Sequence, residues 1–234
     1  MPSQPAPPTA QPPGFDRLFA EGQHAVRTGT HQTEGAPADD GPRWAIGAML
    51  RPDPQAARTI EQVAKAAAAV VGANHWLAGA ARSSHLTLRR HLEPRRRHVS
   101  PADPLVVRYA AALRSAAKAT GPVRFTVTGL TLTPISVMAA AVPADTAADD
   151  LAAAFDRALH AQGCRDAGAI PALWYVNLAY FTGPVRDPEE LIGWVQARRL
   201  MHIADVRITG LQIARWQHTA TGMVPIVLAS APQR

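Results

Sequence analysis

One stretch predicts the fold: Ser83-Ser84-His85-Leu86-Thr87-Leu88-Arg89-Arg90. Apolar Leu86 and Leu88 alternate with polar neighbours, and a period of two is typical of a β-strand. The side chains of His85, Thr87 and Arg89 would project from one face, and the two leucines would project from the other face into a core. An imidazole, a hydroxyl and a guanidinium in a row suit a phosphate group. A strand whose polar face meets solvent would show the same pattern, so both interpretations stay open at this point.

The composition favours a globular protein with an anionic ligand. The 234 residues are 47% hydrophobic, which is enough to bury a full core as one domain or as two small lobes. The formal net charge is +6 at pH 7, and arginine supplies nearly all of the positive charge, since Lys65 and Lys118 are the only lysines. Arginine binds phosphate through paired hydrogen bonds, although a genome rich in Ala, Pro and Arg codons would give part of the same excess.

The cysteine count and the apolar runs indicate the compartment. Cys164 is the only cysteine, which excludes an internal disulfide and fits a reducing environment. No apolar run has the length needed to span a membrane, and the amino terminus lacks the charged and then apolar segments of a signal peptide. We therefore expect a soluble, cytoplasmic protein that does not enter the membrane.

The chain divides into a Pro-rich extension, residues 1–42, and a folded body, residues 43–234. Residues 1–13 are rich in Pro, Gln and Ala and are predicted to be disordered. A short helix is possible at 14–27, and residues 28–42 are predicted to be a loop. In the body the patterns predict helices at 56–71, 101–120, 145–162 and 188–200, and strands at 44–50, 83–90, 125–142 (two strands, broken near Pro134), 173–181, 205–216 and 223–229.

An internal repeat indicates that the body is duplicated. Thr128-Gly129-Leu130-Thr131-Leu132 is echoed by Thr209-Gly210-Leu211-Gln212-Ile213. Each copy follows a strand and a helix, and each is followed by a return strand. The chain therefore looks like two similar lobes, with residues 85–88 and 174–181 in equivalent places.

With its strand and helix order and its paired Thr-Gly-Leu strands, the motif His85-Leu86-Thr87-Leu88 resembles the 2H phosphoesterase superfamily, which includes the 2′,5′ RNA ligase-like proteins and cyclic phosphodiesterases. The resemblance covers residues 43–230. It implies an α+β fold of two pseudo-symmetric lobes, with antiparallel sheets flanking a central cleft. In that family two histidines face each other as general base and general acid, paired Thr or Ser hydroxyls hold the phosphate, and no metal or other cofactor is required. The implied partners are a nucleotide, an RNA end or another phosphorylated small molecule.

The resemblance assigns roles on the first motif and exposes a departure in the second. His85 would be an acid/base group, Thr87 a phosphate anchor and Arg89 an added cation. Where the second His-x-Thr is expected, this chain has Asn177-Leu178-Ala179-Tyr180, and an amide cannot transfer protons near neutral pH. The expected catalytic residues are His85 and Thr87, and the expected substrate-binding residues are Arg89, Asn177, Ala179, Phe181, Tyr175 and His75.

Other side chains could replace the missing imidazole. His75 is the best placed, since it lies in the loop just before the central strand, whereas His160, His202 and His218 have the sequence context of surface residues. Tyr175 shares the predicted cleft face with Asn177, and it could act as an acid or simply pack. Three functions therefore stay open: a phosphoesterase acting on a nucleotide or an RNA-end phosphate, a nucleotide-binding module without turnover, and a repurposed enzyme that uses His85 on a non-nucleotide substrate.

Overall fold

The computed structural model describes residues 11, 13–41, 43–164 and 172–233. The predicted disorder of residues 1–10 and 12 lies outside the described residues. The elements are, in chain order, α1 (Phe15–Thr28), β1 (Ile46–Pro52), α2 (Pro54–Val71), β2 (Trp76–Leu77), β3 (Leu86–Glu93), α3 (Pro104–Ala119), β4 (Arg124–Leu132), β5 (Ser136–Pro143), α4 (Ala147–Ala161), β6 (Tyr175–Tyr180), α5 (Pro188–Gln196), β7 (His202–Thr219) and β8 (Gly222–Pro232). Among the helices in these ranges, none is long and apolar enough to cross a membrane.

Three helices begin at an Asp-Pro pair. In α2, α3 and α5 the aspartate is the N-cap and the proline is the first helical residue. The aspartate side chain accepts backbone N–H groups that would otherwise be unpaired, and proline is preorganised for this position. In α3 the cap is Asp103, whose side chain accepts the N–H of Leu105 at 3.0 Å, so the helix begins at Pro104. The sequence instead predicts a start at Pro101, with Ser100 as the N-cap.

Antiparallel strands form one continuous sheet in the order β2-β6-β5-β4-β7-β1-β3, with β8 also paired to β7. The amino-terminal half of β7 pairs with β4, and its carboxyl-terminal half pairs with β1 and β8, so β7 joins two half-sheets. The outer strands β3 and β6 approach each other within 8 Å between Cα atoms. This architecture confirms the predicted α+β fold of two lobes with antiparallel sheets.

The strand register shows which residues of the two lobes are equivalent. Leu130 of β4 pairs with Ala139 of β5, and Leu211 of β7 pairs with Leu50 of β1. Leu130 and Leu211 occupy the same place in the Thr-Gly-Leu repeat, so β5 in one lobe corresponds to β1 in the other. The next strand outward is β6 in the first lobe and β3 in the second, and these two strands correspond as well.

The same register aligns the two outer strands residue by residue. Met138 of β5 pairs with Asn177, and Met49 of β1 pairs with Thr87. Asn177 therefore corresponds to Thr87. The residues two positions earlier, Tyr175 in β6 and the histidine that precedes β3, correspond in the same way. The sequence pattern instead aligns His85 with Asn177. The strand register aligns His85 with Tyr175, which lies two residues earlier in the chain.

Both outer strands have a bulge directly after this point. Thr87 pairs with Met49 and Arg89 with Ala48, so Leu88 is an extra residue in β3. In β6 the extra residue is Leu178, at the equivalent position. A bulge of one residue reverses which face the following side chains occupy. The two polar faces that alternation predicts are therefore interrupted at the same place in each lobe.

Part of the predicted extension is folded against the body. Helix α1 packs on β4, where a side chain at Gly22 would lie 2.5 Å from the carbonyl carbon of Leu132. The hydroxyl of Thr131 donates to the carbonyl of Phe15 at 3.1 Å, and Phe15 is buried. The short helix that the sequence suggests at 14–27 thus corresponds to α1, and its apolar side supplies the burial that orders it.

Residues 30–41, which we call the strap, cross from one lobe to the other. The N–H of Gln32 donates to the carbonyl of Pro134, and the N–H of Glu34 donates to the carbonyl of Phe181, both at 2.7 Å. At the far end, the N–H of Asp40 donates to the carbonyl of Arg95 at 2.7 Å. Backbone pairing of this kind fixes the strap without any regular element, which is why sequence patterns predict only a loop here.

Candidate functional site

His85 lies at the entry to β3 with a defined tautomer. Its Nδ1 lies 2.8 Å from the carbonyl oxygen of Ser83. A carbonyl can only accept, so Nδ1 carries the proton and Nε2 is left with its lone pair. The guanidinium of Arg51 holds the preceding loop by donating to the carbonyls of Ala81 and Arg82, at 3.1 and 3.0 Å. The imidazole is therefore positioned before any ligand arrives.

The environment of His85 keeps the ring neutral. Burial lowers its pKa to about 4, the hydrogen bond to Ser83 opposes this shift, and the positive charge of Arg51 adds to it. The ring of Trp216 lies 5.1 Å away between centroids. At neutral pH the group is therefore an imidazole that can accept a proton at Nε2.

A cavity of about 150 Å³ lies beside His85, and residues of both lobes line it. Thr87 and Arg89 from β3 and Tyr175 and Asn177 from β6 also line it, so five of the eight predicted site residues meet there. The predicted face of β3 and the predicted face of β6 thus open into one space, as a two-lobed cleft requires. Among the described residues, no three His, Cys, Asp or Glu side chains are grouped as a metal site would need.

The cation beside the cavity is Arg90 and not the predicted Arg89. The bulge turns Arg89 toward the helices, where its guanidinium is buried and paired with Asp156 of α4. Arg89 still borders the cavity, but its charge is neutralised. Arg90 is exposed, lies over the ring of Tyr175 at 5.4 Å and donates to the phenol oxygen from Nη2. Strict alternation along β3 would place Arg90 on the face opposite His85 and Thr87. The bulge at Leu88 turns Arg90 to the cavity side instead.

A short chain of hydroxyls orients Asn177. The hydroxyl of Ser136 donates to Oδ1 of Asn177 at 3.3 Å, and Ser136 is itself 2.9 Å from the hydroxyl of Thr133. Because Oδ1 is engaged, the amide presents its Nδ2 protons to a ligand. Asn177 can therefore donate hydrogen bonds, as can the hydroxyl of Thr87 at the equivalent position in the other lobe.

Solved structures share this fold. The crystal structure of TT0787 of Thermus thermophilus has a TM-score of 0.54 at 15% identity, over 81% of this chain and 97% of that one. The crystal structure of a phosphoesterase gives 0.51 at 13% identity, and that of E. coli LigT complexed with 3′-AMP gives 0.51 at 12% identity, each over 81% of this chain and 98% of the other. The chain has the 2H phosphoesterase fold.

The fold that the His85 motif predicts is thus confirmed by structure. No protein-family model matches the sequence, and a search of curated proteins gives no match. At 12–15% identity these solved structures show the fold alone.

Two residues of the second motif that are expected to bind substrate do not line the cavity. Ala179 and Phe181 are fully buried in the main core, because the bulge at Leu178 turns them inward. Tyr180 takes the place on the cavity wall that alternation assigns to Ala179. Burial raises the pKa of Tyr180 to about 12, so its phenol is a hydrogen-bond donor over the whole physiological range.

His75, the best placed of the alternative histidines by sequence, packs behind β6. Its ring lies 6.1 Å from that of Phe181, and its Nδ1 accepts the N–H of Thr182 at 3.1 Å. Burial lowers its pKa. His160 lies near Asp156 at 3.7 Å, and His202 near Asp205 at 3.3 Å, so neither is directed at the cavity. His218 lies against Trp76, with 5.3 Å between ring centroids.

Trp44 closes the cavity from the side of the strap. Its ring centroid lies 5.2 Å from Tyr180, 5.3 Å from Trp216 and 6.2 Å from Trp76. Its Nε1 donates to the carboxylate of Glu34 at 3.1 Å. Trp44 has φ of +57°, a conformation that is strained for a bulky side chain and that persists only where surrounding contacts enforce it. No sequence pattern singles out this residue, because its position depends on the strap.

The cavity is small, and hydrogen-bond donors, a neutral imidazole and guanidinium groups line it. A cavity of this volume accepts a molecule the size of benzene, whereas pockets for drug-sized ligands start at about 300 Å³. A phosphoryl group fits this volume, whereas a whole nucleoside is larger than the cavity. Arg43 also lines the cavity, but its guanidinium is paired with the carboxylate of Glu34.

Proposed function

We propose that the cavity binds the phosphoryl group of a phosphate ester and that His85 transfers a proton in its hydrolysis. One observation supports this above all others: His85, Thr87, Asn177 and Arg90 come from both lobes and line one phosphate-sized cavity. A neutral base, a hydroxyl, an amide and a guanidinium are the groups that phosphoryl chemistry uses for positioning and for charge stabilisation.

Each group has a distinct part in binding. The hydroxyl of Thr87, the Nδ2 of Asn177 and the guanidinium of Arg90 would donate to non-bridging phosphate oxygens. Nε2 of His85 would accept the proton of an attacking water. A bound anion favours the imidazolium form, so the pKa of His85 would rise toward neutrality as substrate binds and make the group a stronger base.

The proposed substrate class is a nucleotide or RNA end that carries a 2′,3′-cyclic phosphate or a related diester. The net charge of +6 and the exposed guanidinium of Arg90 at the cavity favour an anionic substrate. LigT, which has a similar fold, has been crystallised with 3′-AMP. The cavity volume implies that the phosphate enters and that the ribose and the base lie at the opening.

Binding without turnover is the second candidate function. It is favoured by the second lobe, which has no imidazole at either aligned position, and by the low pKa of His85. Affinity for 3′-AMP together with no hydrolysis of a 2′,3′-cyclic nucleotide would select this function over catalysis.

The double substitution His85→Ala/Thr87→Ala is expected to weaken binding of 3′-AMP and of inorganic phosphate by roughly 10- to 100-fold, because the hydroxyl that donates to the anion and the imidazole that the anion would help to protonate are both lost. Isothermal titration calorimetry measures the change, and wild-type affinity should fall as salt rises. The matched control is His202→Ala/Thr126→Ala, which removes the same residue types near Asp205, outside the cavity. Equal affinity of wild type and the His85/Thr87 variant for every phosphate ligand would refute the proposal.

A further inference from the structure

We infer that Tyr175 is the second catalytic group of this site and donates a proton to the leaving oxygen. This inference rests on the proposed function. The sequence suggests that the second lobe lost its proton-transfer group when the expected histidine became Asn177. The strand register leads to a different conclusion, because it places a phenol where the other lobe has its imidazole.

The register evidence is independent of any side-chain contact. Two equivalent pairs, Met49 with Thr87 and Met138 with Asn177, fix the alignment of β3 with β6. Both strands then have their bulge one residue later, which is a second coincidence in the same alignment. Two residues before the aligned pair stand His85 and Tyr175. The two groups are therefore related by the internal symmetry of the fold and would approach a ligand from opposite lobes.

The contacts of Tyr175 suit an acid. Arg90 donates a hydrogen bond to the phenol oxygen, so the phenol proton is directed to another acceptor. The same guanidinium lies 5.4 Å from the ring centroid and would stabilise the phenolate left after proton transfer. Tyr175 is half-buried and lines the cavity. The charged or titratable groups that share the cavity with it are His85, Arg43, Arg89, Arg90, His91 and Tyr180.

The proposed step balances without any co-reactant besides water. In hydrolysis of a 2′,3′-cyclic phosphate, the water oxygen forms the new P–O bond and its proton passes to Nε2 of His85. The P–O bond to one ribose oxygen breaks, and that oxygen takes the phenol proton of Tyr175. The phenolate and the imidazolium then exchange a proton through solvent, which restores both groups.

The test compares kcat/KM for a 2′,3′-cyclic nucleotide across pH in wild type, Tyr175→Phe and Tyr175→His. Loss of a positioned acid should lower kcat by about 10²–10⁴-fold in Tyr175→Phe, with little change in affinity for 3′-AMP. The decline of activity at high pH should vanish in Tyr175→Phe. It should move to lower pH in Tyr175→His, because an imidazolium loses its proton earlier than a phenol does. Tyr109→Phe, which alters a buried tyrosine of α3 bonded to Leu92, is the matched control.

The outcomes separate this inference from the proposed function. Wild-type protein that binds no phosphate ligand refutes both. Binding of 3′-AMP without turnover of the cyclic nucleotide would support the proposed binding site and overturn the role of Tyr175. Turnover that Tyr175→Phe leaves unchanged overturns the role of Tyr175 alone, as does a loss in Tyr175→Phe that keeps the wild-type pH profile and is not recovered in Tyr175→His.

Discussion

The double substitution Tyr175→His/Asn177→Thr is expected to raise hydrolysis of a 2′,3′-cyclic nucleotide by roughly 100-fold over wild type. It rebuilds His-x-Thr at the positions that the register makes equivalent to His85 and Thr87. An imidazolium has a pKa closer to the working pH than a phenol, and general acids are most effective there. Steady-state kinetics with the cyclic nucleotide at pH 7 measures the gain.

The sequence pattern alone would place the same repair two residues later, as Asn177→His/Ala179→Thr. Ala179 is fully buried against the helices, so this variant adds a hydroxyl to the core with no partner. We expect it to gain no activity and to lose about 1–3 kcal/mol of unfolding free energy. The gain in Tyr175→His/Asn177→Thr should vanish when His85→Asn is added, since acid and base act together. A larger gain from the pattern-based repair would contradict the register assignment.

Replacing Trp44 by Ala is expected to change ligand preference. The indole lines the 150 Å³ cavity, so its removal would enlarge the space beside the phosphate position. Removing the ring should strengthen binding of 3′-AMP about tenfold and leave inorganic phosphate within about threefold of wild type. The same change should lower the free energy of unfolding by about 2–3 kcal/mol, because the ring packs on three aromatic neighbours.

Calorimetry with both ligands measures this preference, and Trp44→Phe is the control because it keeps a ring beside the strap. Weaker binding of 3′-AMP by Trp44→Ala would mean that the base stacks on the indole, as bases do on aromatic platforms. That result would contradict the interpretation that the Trp44 ring limits access of the nucleoside to the cavity.

The alternating pattern of β3, the strand and helix order and the Thr-Gly-Leu repeat together predict the fold. Leu86 and Leu88 are buried, and His85 and Thr87 line a cavity, because a period of two holds up to the bulge. The Thr-Gly-Leu repeat likewise predicts the two lobes, since it lies on the strands that pair in the same way in each half.

The bulges explain most of what the pattern misses. One extra residue in each outer strand leaves no trace in an alternating sequence, so Arg89, Ala179 and Phe181 turn away from the predicted face, while Arg90 and Tyr180 turn toward it. The role of the strap is hidden for another reason. Its position depends on hydrogen bonds to distant carbonyls, which local composition does not encode.

The central claim is that a phosphoryl group binds beside His85, and the pKa of this imidazole tests the claim most directly. Histidine signals are followed by NMR across pH, with and without saturating inorganic phosphate, and His85 is assigned by comparison with His85→Asn. In the free protein His85 should titrate near pH 4, since burial disfavours the charged ring. With phosphate bound its pKa should rise by roughly one unit or more, because a nearby anion stabilises the imidazolium. A His85 pKa that phosphate and 3′-AMP leave unchanged would contradict the account.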